Sequence, residues 1–257
     1  MLNLLQFFIL GAVQGLTEFL PVSSSGHLIL LEKFFSINDN LVLLNLTLHL
    51  GTALAAIIFF WKDLMNIIIK RDWNMIKNLF LALFTTTILG FFLKNTVENI
   101  FIYNNSIKPI LIGMLFTAII LFISTKIDKS HRSLNTLTRV EAVKIGLVQA
   151  VAIIPGISRS GLTYFITLQS GIKKEEAFKF SFLLAIPTIL GAAFVETITN
   201  FKDITTTTAL WPLILGLIIS FIFGILGLWM FKRVIKTAKM WLFSIYLVIL
   251  ATWLWFL

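Results

Sequence analysis

The chain has 257 residues, of which 58% are hydrophobic and 13% charged, with a mean hydropathy of +0.95, which excludes a water-soluble domain and marks an integral membrane protein. Its net charge of +9 is scattered in short basic runs between apolar segments, so nucleic acid is excluded as a partner and orientation in a membrane explains the charge. The absence of cysteine excludes disulfides and thiolate metal sites.

In chain order, the first segment, residues 1 to 40, is apolar but interrupted at FLPVSSSGH. Its start, MLNLLQFFILGAVQGLTEFLP, has the apolar run of a signal peptide without the basic region, so it is kept as part of the fold. Membrane-crossing helices follow at about residues 43 to 61, 78 to 93 and 109 to 125, each close to the roughly 20 apolar residues a bilayer demands. A second interrupted segment, 145 to 174, carries IPGISRSG, and crossings at about 176 to 195, 211 to 231 and 241 to 257 complete the chain.

The connections orient these six crossings. Those at 62 to 77, 126 to 144, 173 to 179 and 232 to 239 carry sixteen Lys and Arg residues, including Lys129, Arg132 and Arg139. The others carry four: Lys33, Lys94, Lys108 and Lys202. By the positive-inside rule the sixteen are cytoplasmic. Residues 1 to 40 then start and finish outside and 145 to 174 start and finish inside, so each is predicted to be a re-entrant helix-loop-helix hairpin, its irregular tip shielded from lipid. The hairpins also align without gaps at an offset of 135. Gly11-Ala12-Val13-Gln14 matches Gly146-Leu147-Val148-Gln149, and Ser23-Ser24-Ser25-Gly26 matches Ser158-Arg159-Ser160-Gly161. One hairpin plus three crossings per half makes the halves antiparallel. The fold expected is a single all-α membrane domain with an inverted repeat: repeat one at about 1 to 125, a basic loop at about 126 to 144, and repeat two at about 145 to 257.

Inverted repeats place polar sites where broken segments meet near the midplane. The tips gather Gln14, Glu18, Ser23, Ser24, Ser25 and His27 from one half with Ser158, Arg159, Ser160 and Gly161 from the other. Glu18, one helical turn after Gln14, is a carboxylate inside an apolar segment, expected either to hold a metal or move a proton, or to pair structurally with Arg159. Gln14 supplies a neutral oxygen ligand or a packing hydrogen bond. Arg159, whose planar fork matches a phosphate, sits in a turn rich in backbone N–H groups that opens a helix, an arrangement suited to an anion. Ser24, between Glu18 and His27, is a candidate nucleophile with His27 as its base. His49, beside Gly51 and Thr52, reads as an interhelical hydrogen-bonding group, and His131 as a solvated loop residue.

On the stretches QGLTEFLPVSSSGH and PGISRSG, supported by LHLGTALA and FSFLLAIPT, the sequence resembles the bacterial undecaprenyl-diphosphate phosphatase (BacA) family over most of its length. The resemblance implies hydrolysis of undecaprenyl diphosphate to the monophosphate, recycling the lipid carrier of cell-wall synthesis and giving resistance to bacitracin. It implies a divalent metal, Mg²⁺ or Ca²⁺, and a multi-pass inner-membrane protein with its site open to the outer face. Residue by residue it carries over Gln14 and Glu18 for metal or acid–base work, Ser24 and His27 for phosphate attack, and Arg159 for diphosphate binding. Gln14 stands where many members have Glu, and it cannot accept a proton. Attack by water, or by His27 itself, stays open, as does a homodimer. A transporter without catalysis is the second class of reading. An acid-phosphatase type of lipid phosphatase is excluded because SRSGLTYFITLQ lacks the second histidine that mechanism needs.

Overall fold

The computed structural model describes residues 4–37, 42–97, 99–100, 106–127, 131–199, 210–237 and 239–256. Within these the chain is helical, with one isolated parallel bridge between Arg132 and Ile172. The α-helices are α1 (Leu4–Phe19), α2 (Ser24–Phe34), α3 (Val42–Phe59), α4 (Trp61–Ile69), α5 (Trp73–Val97), α6 (Lys108–Ser124), α7 (Arg139–Val151), α8 (Arg159–Gln169), α9 (Lys174–Thr199), α10 (Leu210–Lys236) and α11 (Trp241–Trp255).

All six expected crossings are helices, but they differ in reach. Four of them, α3, α5, α9 and α10, are long and apolar enough to cross a membrane. The other two, α6 with 17 residues and α11 with 15, fall at or below the length a bilayer asks for. Both interrupted segments are helix-loop-helix elements, α1–α2 and α7–α8. Residues 1 to 3 and 38 to 40 of the first, and Lys129 and Lys202 of the charge count, lie outside the described residues. The connection at 62 to 77 holds a helix not foreseen, α4, whose Ile67 is buried while Trp61, Ile68 and Ile69 are exposed. Asp63 of α4 and Lys179 of α9 pair at 2.6 Å.

Helix association in a membrane draws on close packing, because lipid offers no hydrophobic driving force between helices. Accordingly α1 lies along α10 and α7 along α5, and α3 packs on both α9 and α10 while α6 packs on α11. Glycine permits the close approach in two of these contacts. A Cβ on Gly15 would sit 2.6 Å from the Ser220 carbonyl of α10, and one on Gly146 would run into the Ala82 carbonyl of α5. A cluster of Phe19, Phe60, Phe178, Phe182 and Phe231 packs around the base of α1 in edge-to-face, tilted and stacked pairs, with centroids 5.6 Å apart for Phe19 and Phe182 and 4.7 Å for Phe178 and Phe182. Such pairs are each worth about 0.5–1.5 kcal/mol beyond the area they bury, and this set fixes the residue next to Glu18.

The link between α6 and α7 is tied down rather than loose. Arg132 donates to Glu141 at 2.6 Å and to the carbonyls of Ser170 and Thr136 at 2.7 and 2.6 Å. Thr138 and Glu141 form a reciprocal capping box at the start of α7. Burial acts to raise the Glu141 carboxyl, but hydrogen bonds from Arg132 and Thr138 outweigh it and hold the group below its ordinary range. His131 is exposed, as expected of a loop residue.

Candidate active site

The two hairpin tips meet. Each second helix begins in the same way: the Ser23 hydroxyl accepts the Gly26 N–H that opens α2, and the Ser158 hydroxyl accepts the Gly161 N–H that opens α8. The serine two residues on contacts each cap, Ser25 to Ser23 at 3.4 Å and Ser160 to Ser158 at 3.1 Å. The backbones differ at the cap. Ser23 is left-handed at φ 70, whereas Ser158 is extended at φ −80. In the second tip the left-handed residue is instead Gly156, at φ 93, where a Cβ would enter the Ile110 carbonyl of α6. Thr117 of α6 secures that turn by donating to the Gly156 carbonyl and accepting the Ser158 N–H, at 3.1 and 3.0 Å.

Glu18 is the point of convergence. Its carboxylate is 4% exposed and accepts from Ser24 Oγ at 2.6 Å and from Gln14 Nε2 at 3.1 Å. Arg159 of the other hairpin forms an ion pair with it and also donates to the Ala185 carbonyl at 3.3 Å, two residues before Pro187 of α9. His49 Nδ1 lies 3.7 Å from Glu18 Oε2 and accepts from Gln14 Nε2 at 2.9 Å. The structural ion pair considered from the sequence is thus present, and the same carboxylate also receives the serine hydroxyl.

These groups, apart from the buried Gln14, line an open cavity of about 200 Å³ between the tips and helices α3 and α9. Its polar walls are Thr17, Glu18, Ser23, Ser24, Ser25, His49, Ser158, Arg159, Thr188 and Glu196. Of the residues singled out from the sequence, Ser160 and Gly161 are buried behind the wall, where Ser160 Oγ donates to the Leu20 carbonyl. His27 is not a lining residue. Its ring nitrogens meet the Ser23 carbonyl and the Tyr246 hydroxyl, both at 2.8 Å, and it makes no contact with Ser24 of the kind a base needs. His49 makes the expected interhelical hydrogen bond and also faces the cavity. Glu196 and Tyr246 were not foreseen: the crossing at 176 to 195 stopped one residue short of Glu196, and Tyr246 lies 219 residues from its partner. Gln14 Oε1 is buried without a hydrogen-bond partner in the protein, and among the described residues no three His, Cys, Asp or Glu side chains gather closely enough to hold a metal by themselves.

The family model for bacitracin resistance protein BacA matches residues 7–253. The undecaprenyl-diphosphatase of Carboxydothermus hydrogenoformans is 38% identical over 97% of this chain and 95% of its own length. That of Thermosipho melanesiensis is 41% identical over 95% of each, and that of Methanococcus vannielii 36% identical over 93% of this chain and 94% of its own.

Proposed function

The chain belongs to the bacitracin resistance protein BacA family, and from that premise we propose that it is an undecaprenyl-diphosphatase whose reaction takes place at Glu18, Ser24 and Arg159. The single observation that carries the chemistry is the 2.6 Å hydrogen bond from Ser24 Oγ to Glu18. It joins a hydroxyl nucleophile to a base on the wall of a cavity that also presents a guanidinium.

In this reading Ser24 Oγ attacks the terminal phosphorus as its proton passes to Glu18. The bond to the bridging oxygen breaks, and undecaprenyl phosphate leaves. Water then attacks the phosphoserine phosphorus, the bond to Ser24 Oγ breaks as Glu18 returns its proton to that oxygen, and inorganic phosphate leaves. Arg159 turns part of its fork from Glu18 to the diphosphate and offsets charge in the in-line transition state. Ser23, Ser25 and Ser158 add donors along the wall.

The groups at Glu18 support a divalent cation. Arg159 is already paired with the Glu18 carboxylate, so an entering diphosphate gains from a further positive charge. Glu18 and the unbonded Gln14 Oε1 suit a hard ion such as Mg²⁺ or Ca²⁺, whose other oxygens would come from the substrate and water. When bound, the ion neutralises the diphosphate oxygens.

The same reading holds for the architecture. The paired packing of α1 on α10 and α7 on α5, and the matched caps at Ser23 and Ser158, support an inverted repeat with re-entrant hairpins. The charge asymmetry supports six crossings of the cytoplasmic membrane with the site open to the outer face, where recycling of the carrier would give bacitracin resistance. The test is phosphate release by purified protein from undecaprenyl or farnesyl diphosphate with Mg²⁺, Ca²⁺ or EDTA. Metal-dependent release abolished by Glu18→Ala, Ser24→Ala and Arg159→Ala is expected. Absence of release from folded protein that still binds the lipid would leave a transporter as the better account.

A further inference from the structure

We propose that Tyr246 is a positioning residue for this reaction, acting through His27 on the turn that aims Ser24; the inference rests on the phosphatase reading above. Ser23, directly before Ser24, holds a left-handed backbone that side chains other than glycine avoid. Its carbonyl receives the His27 N–H at 3.2 Å and faces the His27 ring at 2.8 Å. A carbonyl only accepts, so Nδ1 of that ring carries a proton. In the neutral ring Nε2 is then an acceptor, and the Tyr246 hydroxyl donates to it at 2.8 Å.

The rings of His27 and Tyr246 lie nearly parallel, 11° apart with centroids separated by 5.8 Å. Helix α11 is held in place for this contact by Ser244, whose hydroxyl donates to the Ala118 carbonyl of α6 at 2.7 Å. The other tip provides the comparison. Its corresponding serine, Ser158, is not left-handed, and Leu162 stands where the first tip has His27. The histidine clamp thus accompanies the strained turn and is missing where the strain is missing. With both ring nitrogens engaged and Glu18 already accepting the Ser24 proton, His27 shapes the turn, and Tyr246 fixes which nitrogen of His27 can grip it.

The experiment compares the parent protein with Tyr246→Phe, which keeps the stacked ring and removes only the hydroxyl, using farnesyl diphosphate turnover and ¹⁵N spectroscopy of the imidazoles. The chain has three histidines, and a His27→Asn variant identifies the signal of interest. We expect kcat to fall about tenfold, the scale of one hydrogen bond. KM should stay within twofold, the melting temperature should not change, and the His27 nitrogens should move from the Nδ1–H form toward a mixture. A kcat within twofold of the parent, or a loss confined to KM, overturns the proposal. A parent that releases no phosphate refutes the phosphatase reading, and the nitrogen pattern then decides separately whether Tyr246 sets the state of His27.

Discussion

Glu18 is asked to balance Arg159, to accept the Ser24 proton and to help hold a cation, and the first two tasks can be separated. Removing one partner of a buried ion pair leaves the other uncompensated, at about 3–5 kcal/mol. Arg159→Ala should therefore lower both melting temperature and turnover, the latter by about 10³-fold. Arg159→Lys keeps a charge but loses the planar fork, so it should retain more stability than activity. The double variant Glu18→Gln, Arg159→Met should recover stability and remain inactive; measurable phosphate release from it would refute the roles given to both residues. These residues were legible because a carboxylate, a guanidinium and a serine run are rare inside apolar segments. The partner of His27 was not, since nothing in the local pattern of α11 marks one tyrosine among its large apolar neighbours. The sequence also suggested His27 as the base for Ser24, where the folded turn gives that contact to Glu18.

At the scale of elements, the hairpins were legible from their Gly, Pro and Ser interruptions, which a straight crossing helix would not carry. Helix α4 was hidden because nine residues flanked by charge do not stand out from a loop, and its burial depends on contacts made elsewhere. Packing of the elements turns on close approach. Gly15→Ala and Gly146→Ala each drive a methyl into a neighbouring helix backbone and should cost about 1–3 kcal/mol. Gly90→Ala, with nothing within 4 Å of the added carbon, should be neutral or slightly stabilising. Thermal unfolding in detergent ranks the three, and equal losses for all would show that helix contact is not what these glycines serve.

The link from α6 to α7 gives a pH dependence. Glu141 is held below its ordinary range by Arg132 and Thr138 against the effect of burial, so its stabilisation is present at neutral pH and above. It is lost as pH falls through the acid range in which the folded group takes up its proton. The pair is only part-buried, so the effect is small. Limited proteolysis of residues 131 to 138 should accelerate in acid for the parent. In Glu141→Gln it should be fast at every pH.

For the whole molecule the open physical question is how the proposed topology of six crossings keeps two polar tips in contact. If both interrupted segments crossed fully from the same outer start, their tips could still meet, but α2 and α8 would both end on the cytoplasmic side, and the basic connections at 62 to 77 and 126 to 144 would move outside while those at 173 to 179 and 232 to 239 stayed inside, erasing the charge asymmetry. Re-entrant hairpins satisfy the contact and the asymmetry together, because each tip enters from the side on which its own ends remain. The sequence carried this argument through the placement of Lys and Arg. It did not carry the lengths of α6 and α11, which depend on how the flanking chain turns. The native chain has no cysteine, so single cysteines report their side of the membrane cleanly to an impermeant maleimide. Ser36→Cys and Ser106→Cys should label from outside in intact cells, and Lys70→Cys, Asn135→Cys and Lys236→Cys only after the inner face is opened. Ser36 fixes the outcome for the first hairpin, since a crossing segment must deliver it to the cytoplasm while a re-entrant one returns it outside. Labelling of Ser36→Cys from the inner face alone would rule out the hairpin, and with it the inverted relation of the two halves.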